Sequence, residues 1–208
     1  MTIKDFGARV ESVWEGLRPL TKKMLAGAVE ANPAAPKQKF SYDAHADWEL
    51  SRLLSALDEQ TKDAEIRRNP EKLREIKVLA ETCADVLQAQ TESAEVFIQL
   101  ATRVLERSEF KKIDALADIL FERFSAGEIA EIIRQTELAQ IRAIAYETLA
   151  LLPTAYLLPL LDDSIYYEIV RNALEQQAFE FDNEEARQIL EQLEFEDSDG
   201  DDANNGDD

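Results

Sequence analysis

Phe124-Ser125-Ala126-Gly127-Glu128-Ile129-Ala130-Glu131-Ile132-Ile133 recurs twice further along the chain. Its counterparts are Leu152-Pro153-Thr154-Ala155-Tyr156-Leu157-Leu158-Pro159-Leu160-Leu161, 28 residues on, and Phe181-Asp182-Asn183-Glu184-Glu185-Ala186-Arg187-Gln188-Ile189-Leu190, a further 29 residues on. Apolar residues coincide at the first, sixth, ninth and tenth positions. The second position holds Ser125, Pro153 or Asp182, residue types that open helices. The residues before each copy align as well: Ile113, Leu116 and Ala117 match Ile141, Ile144 and Ala145, then Val170, Ala173 and Leu174. Each copy therefore reads as a helical hairpin with one apolar face that it cannot bury alone. Stacking successive hairpins covers that face. The alignment predicts that Phe124, Leu152 and Phe181 occupy equivalent inward positions.

Upstream, Glu71 to Ser125 contains no Gly or Pro. Within it Leu73, Ile76, Ala80, Cys83, Leu87, Gln90, Ala94, Phe97, Ala101 and Val104 alternate steps of three and four, a heptad seam. It is one long helix, or two broken near Gln90-Thr91-Glu92-Ser93. The seam either faces the core of its own domain or forms a homodimer through Leu73–Val104. Asn69-Pro70-Glu71 has the order of an N-cap, a first helical proline and an acidic first turn. Asp47 is the expected N-cap of a helix through Trp48, Leu50, Leu53, Leu54 and Leu57. At the N-terminal end Phe6, Val10, Val13, Trp14, Leu17, Leu20, Met24, Leu25 and Ala28 keep helical spacing, interrupted at Pro19.

The expected class is all-α: an N-terminal helical bundle, about three stacked hairpins and a disordered acidic tail. The expected segments are N-terminal helices at 1–31, a linker at 32–46, the bundle segment with the seam at 47–109, hairpin repeats at 110–195 and the tail at 196–208. The tail, rich in Asp, Asn, Gly and Ser, has too little apolar surface to offset its ordering entropy. The repeats, above all Leu158-Pro159-Leu160-Leu161-Asp162-Asp163, resemble HEAT-like α-solenoid repeats. That resemblance is architectural. It implies a protein-binding surface and transfers no site residue.

The charge is distributed unevenly. Residues 1–112 hold 18 basic and 19 acidic side chains, a net of −1; residues 113–208 hold 5 and 24, a net of −19. A field of that sign repels nucleic-acid backbones and speeds encounter with a basic protein. The single cysteine, Cys83, rules out an intrachain disulfide and fits a reducing compartment. The first residues lack the long apolar run of a secretory leader, and no apolar run is long enough to cross a membrane. Cytoplasm is the expected location.

Catalysis needs a nucleophile or base with a positioned partner. The only histidine, His45, reads as a loop residue before a helix, and Cys83 lies on the apolar seam. No paired zinc-ligand spacing and no phosphate-cradling glycine loop is present. A helical di-metal carboxylate site would require Glu-x-x-His pairs that the sequence lacks. Asp197-Ser198-Asp199-Gly200-Asp201-Asp202 misplaces the glycine of a calcium loop. No cofactor is therefore expected. Tyr146, Tyr156, Tyr166 and Tyr167 cluster in the repeats, where tyrosine serves either packing or recognition.

The reading that follows is a non-catalytic adaptor, scaffold or inhibitor offering an acidic helical surface to a basic partner. Glu128, Glu131, Tyr156, Asp162, Asp163, Tyr166, Tyr167 and Glu168 are the candidate contact residues. The alternative is an enzyme or enzyme subunit whose carboxylate and tyrosine pocket forms only on folding. A structural oligomer built on the seam is a third.

Overall fold

A computed structural model describes residues 3–30 and 42–202, the last of these (196–202) by backbone alone. Every regular element among the described residues is helical, so the all-α expectation holds. Among the described residues no helix is long and apolar enough to cross a membrane. The chain forms two compact units, Met1–Leu100 and Ala101–Asp208.

In the first unit α1 (Ala8–Gly16) stops before Pro19, which opens α2 (Pro19–Glu30). Proline has no N–H to donate, which costs nothing in a first turn. The next helix, α3 (Ala44–Gln60), starts earlier than the sequence suggests. Asp43, not Asp47, is its N-cap, accepting from the Ala46 amide at 2.8 Å. The last residues assigned to a linker are thus the entry to α3, while 32–41 lie outside the described residues. A short α4 (Ala64–Arg67) is capped by Asp63, and α5 (Pro70–Gln90) by Asn69 as its sequence announces.

The seam is broken where Thr91-Glu92-Ser93 interrupts it, and α6 (Ala94–Glu106) begins beyond. Ile76, Ala80, Cys83 and Leu87 of α5 are fully buried, and α5 packs against α3 and α2. That stretch of the seam is core of its own unit. Leu50, Leu53, Leu54 and Leu57 of α3 complete this core. Burying four such leucines contributes on the order of 6–12 kcal/mol against chain entropy.

In the second unit α7 (Phe110–Arg123) follows a turn at Ser108, whose φ of 57° lies in the left-handed region. Then come α8 (Ala126–Gln135), α9 (Ala139–Leu151), the four-residue α10 (Leu158–Leu161), α11 (Tyr167–Phe179) and α12 (Glu184–Asp202). Helix α7 packs on α9, and α9 on α11; α8 packs on both α9 and α11, and α12 on α11. At the sixth position of the repeat Ile129, Leu157 and Ala186 are all fully buried.

The first position behaves differently. Phe124 and Leu152 are buried, but Phe181 is exposed, which corrects the expected equivalence. The cause is local. Asp182 takes a left-handed φ of 53°, and the capping role passes to Asn183, whose Oδ1 accepts from the Glu185 and Ala186 amides. In the second copy a 3-10 turn over Thr154–Tyr156 replaces most of the expected helix. The backbone of α12 runs on past 196, where the tail was expected to begin; residues 203–208 lie outside the described residues.

Candidate functional site

The acidic unit brings together few of its candidate residues. Tyr166 donates to Glu131 Oε2 at 3.0 Å, joining the entry of α11 to α8. Arg134 grips the same carboxylate through two nitrogens, and Gln135 donates to it. Arg134 first, then Gln135 and Tyr166, hold the Glu131 carboxyl down to about 2, against the burial that pushes it up. Burial and this carboxylate push the Tyr166 phenol up. Glu131 and Tyr166 therefore act on each other across two helices, and their polar atoms are already committed to that link.

Asp163 joins this group at the entry of α11, its carbonyl accepting from the Tyr166 and Tyr167 amides at 2.9 Å. Glu128 is half-buried in the first turn of α8, and its amide donates to the capping Ser125. Asp163 Oδ1 accepts from the Ile165 amide at 2.9 Å, shaping the turn into α11. Tyr167 is half-buried. Asp162 and Glu168 are exposed, as are Tyr156, Leu158 and Ile165 on the same connection. This connection carries apolar and acidic side chains side by side.

Four arginines of the unit are engaged internally. Arg134 pairs with Glu131, Arg171 with Glu175, and Arg187 with both Glu184 and Asp182. Arg142 donates to the Thr136 carbonyl. Glu147, Asp162 and Glu168 have no ion pair among the described residues, so their charge faces solvent uncompensated.

Sequence reading missed two polar centres. The first is in the opening turns of α3. Buried Glu49 accepts from the Arg18 amide at 2.6 Å, from Arg18 Nε at 3.1 Å and from the Thr21 hydroxyl. Burial pushes its carboxyl up, but these donors outweigh burial and the net direction is down. Arg18 also forks onto Asp43 at 2.7 and 3.0 Å, holding that carboxyl well below the usual range. Asp47, also buried, has hydroxyls rather than a cation: Tyr42 at 2.5 Å and Thr91 at 3.1 Å. Burial, opposed by those two hydrogen bonds, pushes the Asp47 carboxyl up. His45 sits on the first turn of α3 rather than in a loop, and its ring leans on exposed Trp48, which Arg52 covers at 4.6 Å. Cys83 is buried, with its thiol 3.3 Å from the Leu50 carbonyl.

The second centre is Gln177 on α11, 2% exposed. Its Nε2 donates to the carbonyls of Ala150 and Leu152 at 3.0 and 2.7 Å, and its Oε1 accepts from the Thr154 hydroxyl at 3.0 Å. Asn183 Nδ2 donates to the same Thr154 oxygen at 3.2 Å. A polar residue inside the apolar stripe Val170, Ala173, Leu174, Ala178 was the available signal. Among the described residues no group of three or more His, Cys, Asp or Glu side chains is placed to hold a metal.

Comparison of the chain with protein-family models, with curated proteins and with solved structures gave no match.

Proposed function

We propose that the protein is a non-catalytic interaction module, an adaptor, scaffold or inhibitor, whose C-terminal unit offers an acidic helical surface to a basic protein partner. One observation carries this reading. The arginines of α8, α9, α11 and α12 are held by groups of their own unit, while Glu147, Asp162 and Glu168 are left without a cation. Like charges spaced within about a Debye length, roughly 8 Å at physiological salt, repel one another, and a basic partner removes that repulsion. The row α7, α9, α11 supports the finer reading of stacked hairpins with HEAT-like character. Solubility alone would be served by an even spread of charge along the chain.

The test uses the full chain as bait at low salt, followed by kinetics on the partner recovered. Reversing Glu147, Asp162 and Glu168 to lysine spares Asp163, whose carboxylate shapes a turn. The reversal should slow association far more than it speeds dissociation, and added salt should weaken the wild-type complex more than the variant. Binding that is indifferent to both salt and reversal would overturn the proposal.

A further inference from the structure

The corner where α9 and α11 end exposes three large apolar side chains that a folded unit gains nothing by exposing. Leu151 is 54% exposed, Phe179 75% and Phe181 45%. They belong to two neighbouring stretches of backbone. Gln177 reaches the carbonyls on either side of Leu151, and Asn183 reaches Thr154, so residues 150–154 lie against 177–183. The buried amide network fixes this platform before anything binds.

Phe181 faces outward because Asp182 takes the left-handed conformation, which disfavours any residue with a Cβ. Its counterparts Phe124 and Leu152 are buried. A strained residue that turns an aromatic ring into solvent is poor for stability and suits a surface that must be seen. Next to Phe179 and Phe181 along the chain come Glu180, Asp182, Glu184 and Glu185, all exposed. The cation among them, Arg187, is divided between Asp182 and Glu184 and the Ala178 carbonyl.

We infer that Leu151, Phe179 and Phe181 are the apolar centre, and this carboxylate rim the edge, of a docking site for a basic amphipathic helix of a protein partner. The rim selects the occupant. A second copy of the chain would bring the same negative rim, and the chain's own end, 196–208, holds seven carboxylates and no cation. A helix with apolar residues on one face and lysines or arginines beside them matches both features. This inference rests on the acidic-surface reading above and adds a location and a partner shape to it.

The probe is a synthetic amphipathic helix of leucine and lysine, with a scrambled peptide of identical composition as control. Binding to the full chain is followed at low salt by fluorescence anisotropy. Phe179→Ser with Phe181→Ser should weaken the amphipathic peptide roughly tenfold or more and leave the scrambled peptide unchanged. Both side chains are exposed, so circular dichroism should be unaltered; Leu151→Ser gives an independent second variant. If the amphipathic peptide binds the wild type and the serine variants equally, charge alone holds it, and the docking site is refuted while the acidic surface stands. If neither peptide binds the wild type, both readings fall.

Discussion

Replacing Gln177 with leucine tests the polar network that joins successive hairpins. The two side chains are close in volume, so the exchange removes hydrogen bonds without opening a large cavity. It strips the Ala150 and Leu152 carbonyls of their donor and the Thr154 hydroxyl of an acceptor. Those carbonyls sit at the C-terminal end of α9, where no further helical turn supplies an N–H. Each buried carbonyl left unpaired costs about 1–3 kcal/mol, roughly 2–6 for the pair. The added apolar burial returns about 1–2 kcal/mol. Taking the middle of each range, the net loss is about 2.5 kcal/mol, and at about 4–8 °C per kcal/mol for a unit of this size the melting temperature should fall on the order of 10–20 °C. Thermal and urea unfolding by far-UV circular dichroism would measure it, with the urea dependence unchanged in slope. A variant that melts within about 2 °C of the wild type, well under the shift expected from 1 kcal/mol, would refute the estimate and the role assigned to Gln177.

Substitutions at three other positions follow from the same reasoning. Asp47 has a raised carboxyl pKa in the folded state, so folding takes up a proton and the wild type loses stability as pH rises from the ordinary carboxylate range through the folded value. Asp47→Asn should therefore gain on the wild type across that window in melting experiments; the opposite slope would show that the charged form is the preferred one. Glu131 is depressed from its usual 4.5 to about 2, so its contribution is complete above the usual value and is lost as pH falls towards 2. Glu131→Gln should flatten the acid limb of stability between those values, and an unchanged limb would mean that Arg134 and Tyr166 give the charge no net support. At Asp182, glycine should be neutral or stabilising by up to about 1 kcal/mol, and valine destabilising by more than that, because glycine has no Cβ to crowd the backbone at this φ and valine's is branched. Chemical denaturation of both variants compares them; equal stability would remove the strain argument.

Much of the architecture is legible in the residues. The helix starts at Pro19 and Asn69, the break at Thr91 and the buried sixth position of the repeat follow from local chemistry. Two of the failures share a cause, in that two residues of similar chemistry competed and tertiary partners chose between them. Asp43 and Asp47 can both cap a helix. Arg18 draws Asp43 into that role, and the hydroxyls of Tyr42 and Thr91 receive Asp47 inside. Asp182 and Asn183 compete in the same way, and a one-residue shift of the cap is enough to turn Phe181 outward. The break at Ser108 carries no glycine to announce it. Of the contact candidates, Glu131 and Tyr166 meet each other; nothing in their spacing, 35 residues apart, indicates that pairing.

The hydrogen bond from Thr91 to Asp47 spans 44 residues and bears on the order in which the chain folds. As synthesis proceeds from the N-terminus, α3 is complete long before Thr91 exists, so its inward carboxylate at first has only Tyr42 to satisfy it. Closing that loop carries an entropy cost that grows with length, and the first unit cannot seal its polar interior until the end of α5 has been made. In the second unit the link from Tyr166 to Glu131 spans 35 residues. The helices of that unit pack mostly on near neighbours in sequence, α8 with α9 and α11 with α12, so each pair can close as soon as its own residues emerge. Until the end of α5 has emerged, the apolar faces of α3 and α5 are the surfaces of the nascent N-terminal half most exposed to misassembly.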